Sequence, residues 1–584
     1  MPPETKTCAQ CQRPFTIREQ DFAFYEKMNV PPPRMCYFCR RQHLVCWRNQ
    51  RTLYGRTCAA TKKPIVSIFA PEADYTVYDR DYWWTDQWDP LSYGADIDFS
   101  KPFAEQFDAL LRRVPLPAVI NGKSENSQYT NHVGFAKNCY LLFASWEVEN
   151  THYSDMTGKV KDSMDLLEVN DIESGYELTG CVSSYNLKYS IESEHCVDSW
   201  FLYDCKQCTN CIGCTNLRNK QYYIFNKPYS KSEYEKAVQA LRLNTRAGIE
   251  AVRAKFIELK GSCLHKFANL IKTEDCTGNN LVAAKNCHYC FAGRGAENSA
   301  FCTNIAGPMN DVYDGYGVGA TFERGYLAFD TGDKGLENIC CGTVWGSQYA
   351  YYCYQCFSSF EIFGCVGVRG KKYCILNKQY TEEEYKPLKE KLIAHMSSQG
   401  GSASGGKETG EWGEFFPPRI APFGYNETLA QEYVPMTKAQ ALAGGFKWQD
   451  RVPGTFGKET MKAAQIPETV AETPDTIVKE VLACAQCGKN YKIVPQELAF
   501  YRKHTLPVPL NCPECRYNAR RALRQPHELW HRQCMCKQAG HAWHDAGAPG
   551  HPTGSACGRK FETTYAPERK ETVYCEACYN EEVV

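Results

Sequence analysis

A column of small residues, spaced ten to twelve positions apart between 137 and 226, most constrains how this chain can fold. The column is small and half-polar throughout, and it comprises Cys139, Thr151, Ser163, Ser174, Ser184 and Cys196. In a stacked solenoid each turn lies one strand spacing, roughly 4.8 Å, above the last, so small side chains recur at a fixed period. The pattern therefore predicts a parallel β-helix in which two periods, about 23 residues, form one coil.

The same pattern occurs a second time. The first predicted solenoid closes near Asn226 and is followed by a helix that starts with a capping box, Ser230 and Glu233. The second closes near Asn377, and its helix starts at Thr381. Because the coils of a solenoid bury their faces only against neighbouring coils, both ends need caps. We expect the terminal helices and the region before the first solenoid to supply them.

A chain of 584 residues should form several domains, because single cores rarely grow beyond about 300 residues. We predict a mainly β, multidomain protein, with two parallel β-helix segments flanked by treble-clef or zinc-ribbon-like modules and a few capping α-helices. The predicted segments are zinc ribbon 1 (1–57), a degenerate second zinc module with a capping region (58–128), solenoid 1 (129–228), a helical connector (229–262), solenoid 2 (263–379), a capping helix (380–397), a flexible Gly/Ser linker with an extended, loosely ordered segment (398–480), zinc ribbon 2 (481–533) and a C-terminal zinc module (534–584).

The chain contains 33 cysteines, a very high number. Its start lacks the basic-then-apolar pattern of a secretory signal, and no run of eighteen apolar residues occurs, so we expect a cytoplasmic protein with no membrane segment. In a reducing compartment, paired cysteines indicate metal binding and not disulfides. Between 139 and 374 we interpret the cysteines as small buried residues of the solenoids.

Two C-x-x-C pairs near the start, Cys8 with Cys11 and Cys36 with Cys39, have the spacing of a four-thiolate zinc site. A module of under 60 residues seldom buries enough surface to fold, so the metal would supply the missing stability. Together with Phe24-Tyr25 between the pairs and Arg40 after them, the pattern C-x-x-C, E-x-x-F-Y, P-x-x-C-x-x-C-R resembles the small bacterial "probable zinc-ribbon" family. The resemblance implies a metal site and no activity.

The same module returns 476 residues later, where the four ligands are Cys484, Cys487, Cys512 and Cys515. A further module follows each ribbon. In the C-terminal copy we predict a third zinc, bound by Cys557, Cys575 and Cys578 together with either Cys534 or Cys536, and His541, His544 and His551 are alternative ligands. In the N-terminal copy the corresponding positions are Thr61, Asp79 and Tyr82, which do not form a thiolate site, so we expect that site to be lost.

The overall layout also carries a resemblance. The motifs Y-W-W-T-D-x-W-D-P at Tyr82, N-L-R-N-K-Q-Y at Asn216 and V-Y-C-E-A-C-Y at Val573 resemble an uncharacterised family of long zinc-ribbon and β-solenoid proteins from candidate-phylum bacteria. This resemblance covers most of the chain and brings no known activity with it.

One further run, Cys205, Cys208, Cys211 and Cys214, has a spacing close to that of a ferredoxin cluster loop. The internal repeat provides a control, because 151 residues later the four positions are Cys356, Ser359, Ile362 and Cys365. Two of the four ligands are missing there, so we favour a cysteine-lined coil over an iron–sulfur cluster.

No catalytic constellation stands out, and the leading hypothesis is a non-enzymatic, zinc-stabilised binding or scaffold protein. Its partner would be an unknown macromolecule, protein or RNA, and its oligomeric state stays open. A first alternative is binding of nucleic acid or of a ribonucleoprotein such as the ribosome through the basic ribbons. The contacts would be Arg40, Arg41, Arg48, Arg51, Arg516, Arg520, Arg521 and Arg524. A second is a β-helix enzyme acting on polysaccharide through acids such as Glu168, Asp171 and Glu173.

Overall fold

A computed structural model describes residues 1–398, 410–538 and 557–584. Within it the chain forms two compact units, Met1–Ile120 with Asn269–Val452 (unit 1) and Asn121–Ala268 with Pro453–Val584 (unit 2). Each unit therefore joins one terminal ribbon to the repeat region that is distant from it in sequence. The Gly/Ser tract between 399 and 409 and the alternative ligands His541, His544 and His551 lie outside the described residues.

The repeat region of unit 2 forms one long sheet, called here the first repeat sheet, whose neighbouring segments are parallel and twelve residues apart. Tyr140 pairs with His152, and His152 pairs with Met164. The prediction of about 23 residues per coil is wrong, because the repeat of the sheet is twelve. The final strand alone pairs antiparallel. In order the strands are Ser124–Glu125, Asn131–Lys137, Phe143–Glu149, Asp155–Lys161, Met164–Glu173, Tyr176–Thr179, Val182–Lys188, Val197–Trp200, Thr209–Ile212, Gln221–Ile224 and Lys227–Pro228.

The short repeat has a backbone cause. Every third residue has a positive φ, for example 53° at Asn138, 50° at Leu141, 45° at Ala144 and 57° at Glu147. Each left-handed residue redirects an otherwise extended chain, so twelve residues contain four changes of direction. A left-handed conformation is unfavourable for a residue with a Cβ. Backbone hydrogen bonds to the previous repeat offset this, as between Asn138 N and Glu125 O at 3.1 Å.

The predicted column of small residues is correct in part. Thr151 and Ser163 follow Cys139 at intervals of twelve, but the next position is Gly175 and not Ser174, because Gly175 N donates to Ser163 Oγ at 2.9 Å. Ser184 and Cys196 belong to a different column, in which Cys196 N donates to Ser184 Oγ at 3.0 Å. The single column predicted from the sequence therefore combines residues of two separate columns of the sheet.

The interior of the first repeat sheet is apolar and thiol-rich. Valine and leucine side chains such as Val133, Leu166 and Leu178 are fully buried there with the thiol of Cys181. Cys181 Sγ is within 3.3 Å of Ser190 O, so the thiol is a donor to the backbone of the next repeat. Small buried cysteines therefore fill a narrow space, and their weakly donating S–H groups still have hydrogen-bond acceptors.

The repeat region of unit 1 forms the second repeat sheet, where the interval between paired residues is eleven to thirteen. Gly278 pairs with Cys290, whereas Met309 pairs with Phe322. Close backbone packing accompanies the longer interval, since a Cβ on Gly319 would lie 2.4 Å from the Gly307 nitrogen. The strands are Leu270–Ile271, Gly278–Val282, Cys290–Arg294, Ala296–Glu297, Thr303–Ile305, Met309–Tyr316, Phe322–Gly332, Leu336–Ile339, Gly342–Trp345, Gln348–Tyr351, Phe360–Phe363, Lys372–Ile375 and Lys378–Gln379.

Short two-stranded sheets form the remaining β-structure. The antiparallel pairs are Glu4–Thr7 with Pro14–Ile17, Tyr54–Thr57 with Pro64–Ser67, Leu482–Ala483 with Asn490–Tyr491, and Trp530–Gln533 with Lys560–Thr563. The parallel pairs are Val77–Tyr78 with Leu116–Pro117, and Leu264–Lys266 with Thr572–Tyr574.

Helices flank both repeat sheets. The capping box predicted at Ser230 and Glu233 is confirmed at the start of helix Lys231–Leu241. The α-helices of unit 1 are Glu19–Lys27, Tyr37–Val45, Arg80–Trp83, Phe103–Arg113, Glu382–Ser398, Leu429–Tyr433 and Lys438–Ala443, and those of unit 2 are Lys231–Leu241, Arg246–Ser262, Pro495–Lys503, Pro513–Arg521 and Glu576–Val583. Short 3₁₀ helices occur at Pro90–Tyr93, Pro418–Ile420, Tyr425–Glu427, Ala463–Gln465 and Asp475–Lys479. Among the described residues, no helix is both long enough and apolar enough to span a bilayer.

The sequence predicts that the segment from 411 to 480 is extended and loosely ordered. The prediction of loose order is wrong, because aromatic side chains of this segment are buried. Trp412, Phe416 and Tyr425 are almost fully buried in unit 1. Trp412 Nε1 donates to Asn29 O at 2.8 Å. The segment shows little hydrophobic periodicity because it consists of short helices and turns. Its aromatic residues nevertheless pack in the core of the unit.

Candidate metal centres

The first centre lies at the tip of a hairpin and the start of a helix. Cys8 and Cys11 follow strand Glu4–Thr7, while Cys36 is the N-cap of helix Tyr37–Val45 and Cys39 lies in its first turn. The four Sγ atoms all lie within 4.8 Å of one another. Cys11 Sγ is 3.7 Å from Cys36 Sγ. The predicted quartet is thus brought together.

The second centre repeats this arrangement in ribbon 2. Cys512 is the N-cap of helix Pro513–Arg521, and the four thiols of Cys484, Cys487, Cys512 and Cys515 again lie within 4.8 Å of one another. Cys487 Sγ is 3.8 Å from Cys512 Sγ. In both ribbons a backbone N–H donates to the first thiol, from Cys36 to Cys8 and from Cys512 to Cys484, each at 3.2 Å.

The third centre consists of Cys534, Cys557, Cys575 and Cys578, all buried. Cys575 N donates to Cys534 Sγ at 3.2 Å, the same contact that the two ribbons make. Cys536, the other candidate for this position, is not in the group. The grouping therefore favours Cys534 where the sequence left the choice open, while the carbonyl of Cys536 accepts from Cys557 N at 3.1 Å.

The donor set and spacing fit zinc. A tetrahedral zinc ion with Zn–S bonds of about 2.3 Å places its sulfur ligands about 3.8 Å apart. One Sγ–Sγ distance in each of the three centres, 3.7 Å, 3.8 Å and 3.8 Å in turn, matches this value. One thiol in each of two centres is already acidic. A hydrogen bond from Cys39 lowers the pKa of Cys36 to about 5, and one from Cys534 lowers that of Cys575 to about 5. The thiolate is the form that binds metal.

The place where a fourth centre would lie holds a single thiol. Cys58 belongs to no group of candidate ligands among the described residues. The backbone N–H groups of Thr61 and Asp79 donate to its Sγ at 3.3 Å and 3.1 Å. Burial opposes ionisation of Cys58, but these hydrogen bonds outweigh it and lower the pKa of the thiol. Asp79 is the N-cap of helix Arg80–Trp83, the role that Cys575 has in the third centre.

The four cysteines with ferredoxin-like spacing lie in the interior of the first repeat sheet. Cys205, Cys208, Cys211 and Cys214 are fully buried in the first repeat sheet. Each Sγ is a donor to the carbonyl two residues before it, over 3.3–3.6 Å. The spacing of three residues therefore reflects the position of every third side chain in the sheet interior.

The arginines proposed to bind nucleic acid are mostly internal. Arg40 Nη2 is 3.0 Å from Asp314 Oδ1, and Arg516 Nε is 3.2 Å from Asp165 Oδ2. Arg520 Nη1 is 2.9 Å from the other oxygen of Asp165. These contacts join each ribbon to the repeat sheet of its own unit.

The remaining members of that arginine set are also engaged. Arg48 is 4% exposed and its Nη1 is 3.3 Å from Asp330 Oδ2. Arg524 Nη1 is 2.8 Å from Glu168 Oε1. Arg41 is buried, with its guanidinium over the ring of Tyr433, and Arg51 and Arg521 are half-buried. The structure therefore does not present these eight cations as a basic surface, which the nucleic-acid alternative requires.

The acidic partners were missed in the sequence. Asp165 and Asp314 are almost fully buried, and neither is among the site residues that the sequence predicts. The duplication holds the signal. Each aspartate lies three residues beyond another acid, Asp162 and Asp311, and each pair occurs in one of the two repeat regions. An acid at matching positions of both repeat regions, together with an arginine at matching positions of both ribbons, indicates an interface between ribbon and repeat sheet.

Comparison with known proteins adds little. No family model matches the chain, and no curated protein does. One matching solved structure is described as "putative acetyltransferase from Desulfovibrio desulfuricans G20", with 12% identity, a TM-score of 0.11 and coverage of 39% of this chain. The match spans 62% of that protein, less than two-thirds of its length. At this TM-score it carries no argument about fold or function.

Proposed function

We propose that the protein is a non-enzymatic, zinc-stabilised binding or scaffold protein in which three zinc ions hold the terminal modules. The observation that carries the proposal is the convergence of three sets of four thiols, each set within 4.8 Å. A centre with four thiolates has no open position for water or substrate, which is typical of structural zinc. In ribbon 1 the thiols of Cys8, Cys36 and Cys39 form a small buried cluster of their own, so metal binding would supply much of the free energy that holds this part of the module together.

The rigid part of the scaffold would be the two repeat sheets, wound as solenoids with twelve residues per coil in the first sheet and eleven to thirteen in the second. Continuous parallel pairing at that interval supports this, since both the strands and the turns between them pair with their counterparts in the next repeat. Four changes of direction in twelve residues are what a four-sided coil needs. The terminal ribbons and flanking helices would then cap coils that bury their faces only against neighbours.

Ribbon and solenoid would act as one body in each unit. The contacts Arg40–Asp314 and Arg516–Asp165 are buried ion pairs, and removing one partner of such a pair strands a charge in the interior. We therefore expect loss of metal from a ribbon to loosen the adjacent repeat sheet as well. We also propose a cytoplasmic location, because thiols that converge in groups of four fit metal binding in a reducing compartment.

Metal analysis tests the proposal directly. Protein purified without added metal should contain three zinc ions and no iron by inductively coupled plasma mass spectrometry. Removal of zinc with a strong chelator should unfold the ribbons, as seen by loss of far-ultraviolet circular dichroism and by protease sensitivity at 1–57 and 481–584. Full retention of structure after complete removal of zinc would refute the structural role.

A further inference from the structure

A cleft of about 550 Å³ lies within unit 2, between the first repeat sheet and helix Pro495–Lys503 of ribbon 2. One wall is a row of polar side chains twelve residues apart, and the other presents Phe500 and Lys503 from the helix. The metal centres and buried ion pairs described above make no use of it.

The polar row is a ladder of side-chain amides, called here the amide ladder. Asn126 donates to Asn138 at 2.9 Å, Asn138 to Asn150 at 3.1 Å, and Asn150 to Asp162 at 2.9 Å. The terminal carboxylate only accepts, which fixes the direction of all three amides. Each amide nitrogen uses one of its two hydrogens within the ladder, so the second can bind a ligand. Successive rungs are one strand spacing, roughly 4.8 Å, apart.

A buried imidazole beside the ladder has an unfilled hydrogen-bonding position. His152 lines the cleft and is 6% exposed. Its Nδ1 is buried and has no hydrogen-bond partner among the described residues. Burial lowers the pKa of His152 and so favours the neutral ring, in which one nitrogen donates and the other accepts. Leaving such a group unpaired costs free energy, which a ligand that reaches the ring can recover.

Unit 1 contains the equivalent ladder with a different floor. Asn286 donates to Asn298, and Asn298 donates to Asn310, each at 3.0 Å. In unit 2, His152 lies two residues after Asn150 and Met164 two residues after Asp162. In unit 1, Ala300 lies two residues after Asn298, and Tyr313, which pairs with Ala300, lies three residues after Asn310. The Tyr313 ring stacks on Phe24 of ribbon 1, with ring centroids 3.8 Å apart and planes 7° apart. In unit 1 an aromatic pair thus lies beside the last rung of the ladder. The imidazole of His288 lies two residues after the first rung, Asn286, but its Nδ1 is 3.1 Å from the Thr277 hydroxyl oxygen and so already has a hydrogen-bond partner.

We propose that the cleft of unit 2 binds a neutral saccharide chain. Hydroxyl groups both donate and accept, so they match free amide hydrogens, a carboxylate and a neutral imidazole at once. Phe500 and Tyr140, both half-buried, offer ring faces to the C–H side of a sugar. Lys503 Nζ is 3.7 Å from Asp162 Oδ2, so the charges of the cleft offset each other and favour an uncharged ligand. The rung spacing is comparable to the length of one pyranose unit in an extended chain.

The cleft binds this ligand without cleaving it. Glycoside hydrolysis uses a pair of carboxyl groups on either side of the scissile bond. Among the described residues that line the cleft, Asp162 is the one carboxylate. The inference goes beyond the proposed scaffold role by naming a ligand class for one surface, and it rests on that role only in requiring ribbon 2 to be folded.

The experiment uses the full chain and four probes: hexasaccharides of β-1,4-linked glucose, N-acetylglucosamine and mannose, and of α-1,4-linked glucose. Isothermal titration calorimetry should show saturable binding of at least one probe. The variants H152A and M164Y place on the floor of the cleft the residue types that unit 1 has there, at Ala300 and Tyr313. Each should weaken binding by about tenfold or more, equivalent to about 1.4 kcal/mol.

The matched control is N298A, which alters the ladder of unit 1 and should leave the affinity unchanged. Zinc content and circular dichroism of every variant establish that it is folded. Absence of binding of all four neutral probes to protein that holds three zinc ions would overturn this inference and leave the proposed function standing. Equal affinity of wild type, H152A and M164Y would also overturn it, as would binding of an anionic hexasaccharide of galacturonic acid in place of the neutral ones.

Discussion

Arg40 and Asp314 face each other in the interior of unit 1, where Arg40 Nε donates to Asp314 Oδ2 at 3.0 Å and both residues are only 2% exposed. Arg516 and Asp165 repeat the relationship in unit 2, and there Arg520 joins the same carboxylate. The duplication in the chain has therefore copied the interface between ribbon and repeat sheet together with the ribbon.

Replacing Arg40 with methionine should destabilise the protein by about 3–5 kcal/mol, because Asp314 would be left buried without its partner. The control R13M removes an exposed arginine of the same ribbon and should change stability by about 0.5 kcal/mol or less. The double variant R40M/D314L should recover much of the loss, since it removes both charges. Thermal unfolding followed by circular dichroism measures all three, and equal midpoints for R40M and R13M would contradict the prediction.

The third metal centre predicts a difference between two neighbouring cysteines. Cys534 belongs to the group of four thiols and Cys536 does not. C534S should therefore lower the zinc content from three ions to two per chain, whereas C536S should retain three. Mass spectrometry of the metal in purified protein checks this, and loss of zinc from C536S with retention in C534S would show that the ligands are assigned wrongly.

The lost fourth centre should be recoverable. Cys58 Sγ already accepts hydrogen bonds from Thr61 N and Asp79 N, and Asp79 caps a helix as Cys575 does in the third centre. The triple variant T61C/D79C/Y82C supplies the missing thiols on a backbone of matching form. We expect four zinc ions per chain in place of three. The single variant T61C, with two thiols, is the control and should stay at three, and a triple variant with three ions would show that the local backbone no longer fits a metal.

The metal centres could be predicted almost completely from the sequence, because ligand spacing is a local property. Cys8 and Cys11 lie in one turn, and Cys36 and Cys39 in one helical turn, so no long-range information is needed. Assignment of Cys534 over Cys536 depended on the position of Cys575 N, 41 residues away, which spacing does not give.

The repeat regions were predicted as parallel β-structure with the wrong coil length. The period near twelve was visible, but a coil of about 23 residues assumed long extended strands. The left-handed conformation at residues such as Asn138, Leu141 and Glu147 redirects the chain at every third residue, and side chains of such varied type give no sequence signal for it. The sequence likewise does not predict that ribbon 1 packs against the second repeat sheet, because Arg40 and Asp314 are far apart in the chain.

A buried histidine should make stability depend on pH below neutrality. His265 is 3% exposed, with Nδ1 2.9 Å from the Tyr203 hydroxyl and Nε2 3.1 Å from Lys260 O. Nε2 faces a carbonyl, so it carries the hydrogen and Nδ1 accepts from the tyrosine. Burial and the nearby Lys260 charge lower the pKa of His265 to about 4, against the opposing effect of Glu571.

The unfolded chain takes up this proton near pH 6.5, while the folded protein resists it down to about pH 4. The contribution of His265 to stability is therefore complete above pH 6.5 and decreases by about 1.4 kcal/mol per pH unit as the pH falls towards 4. H265Q keeps a neutral side chain at every pH. Between pH 7 and pH 5, in the presence of excess zinc, the unfolding midpoint of wild type should drop more than that of H265Q, and parallel pH profiles for the two proteins would contradict the assignment.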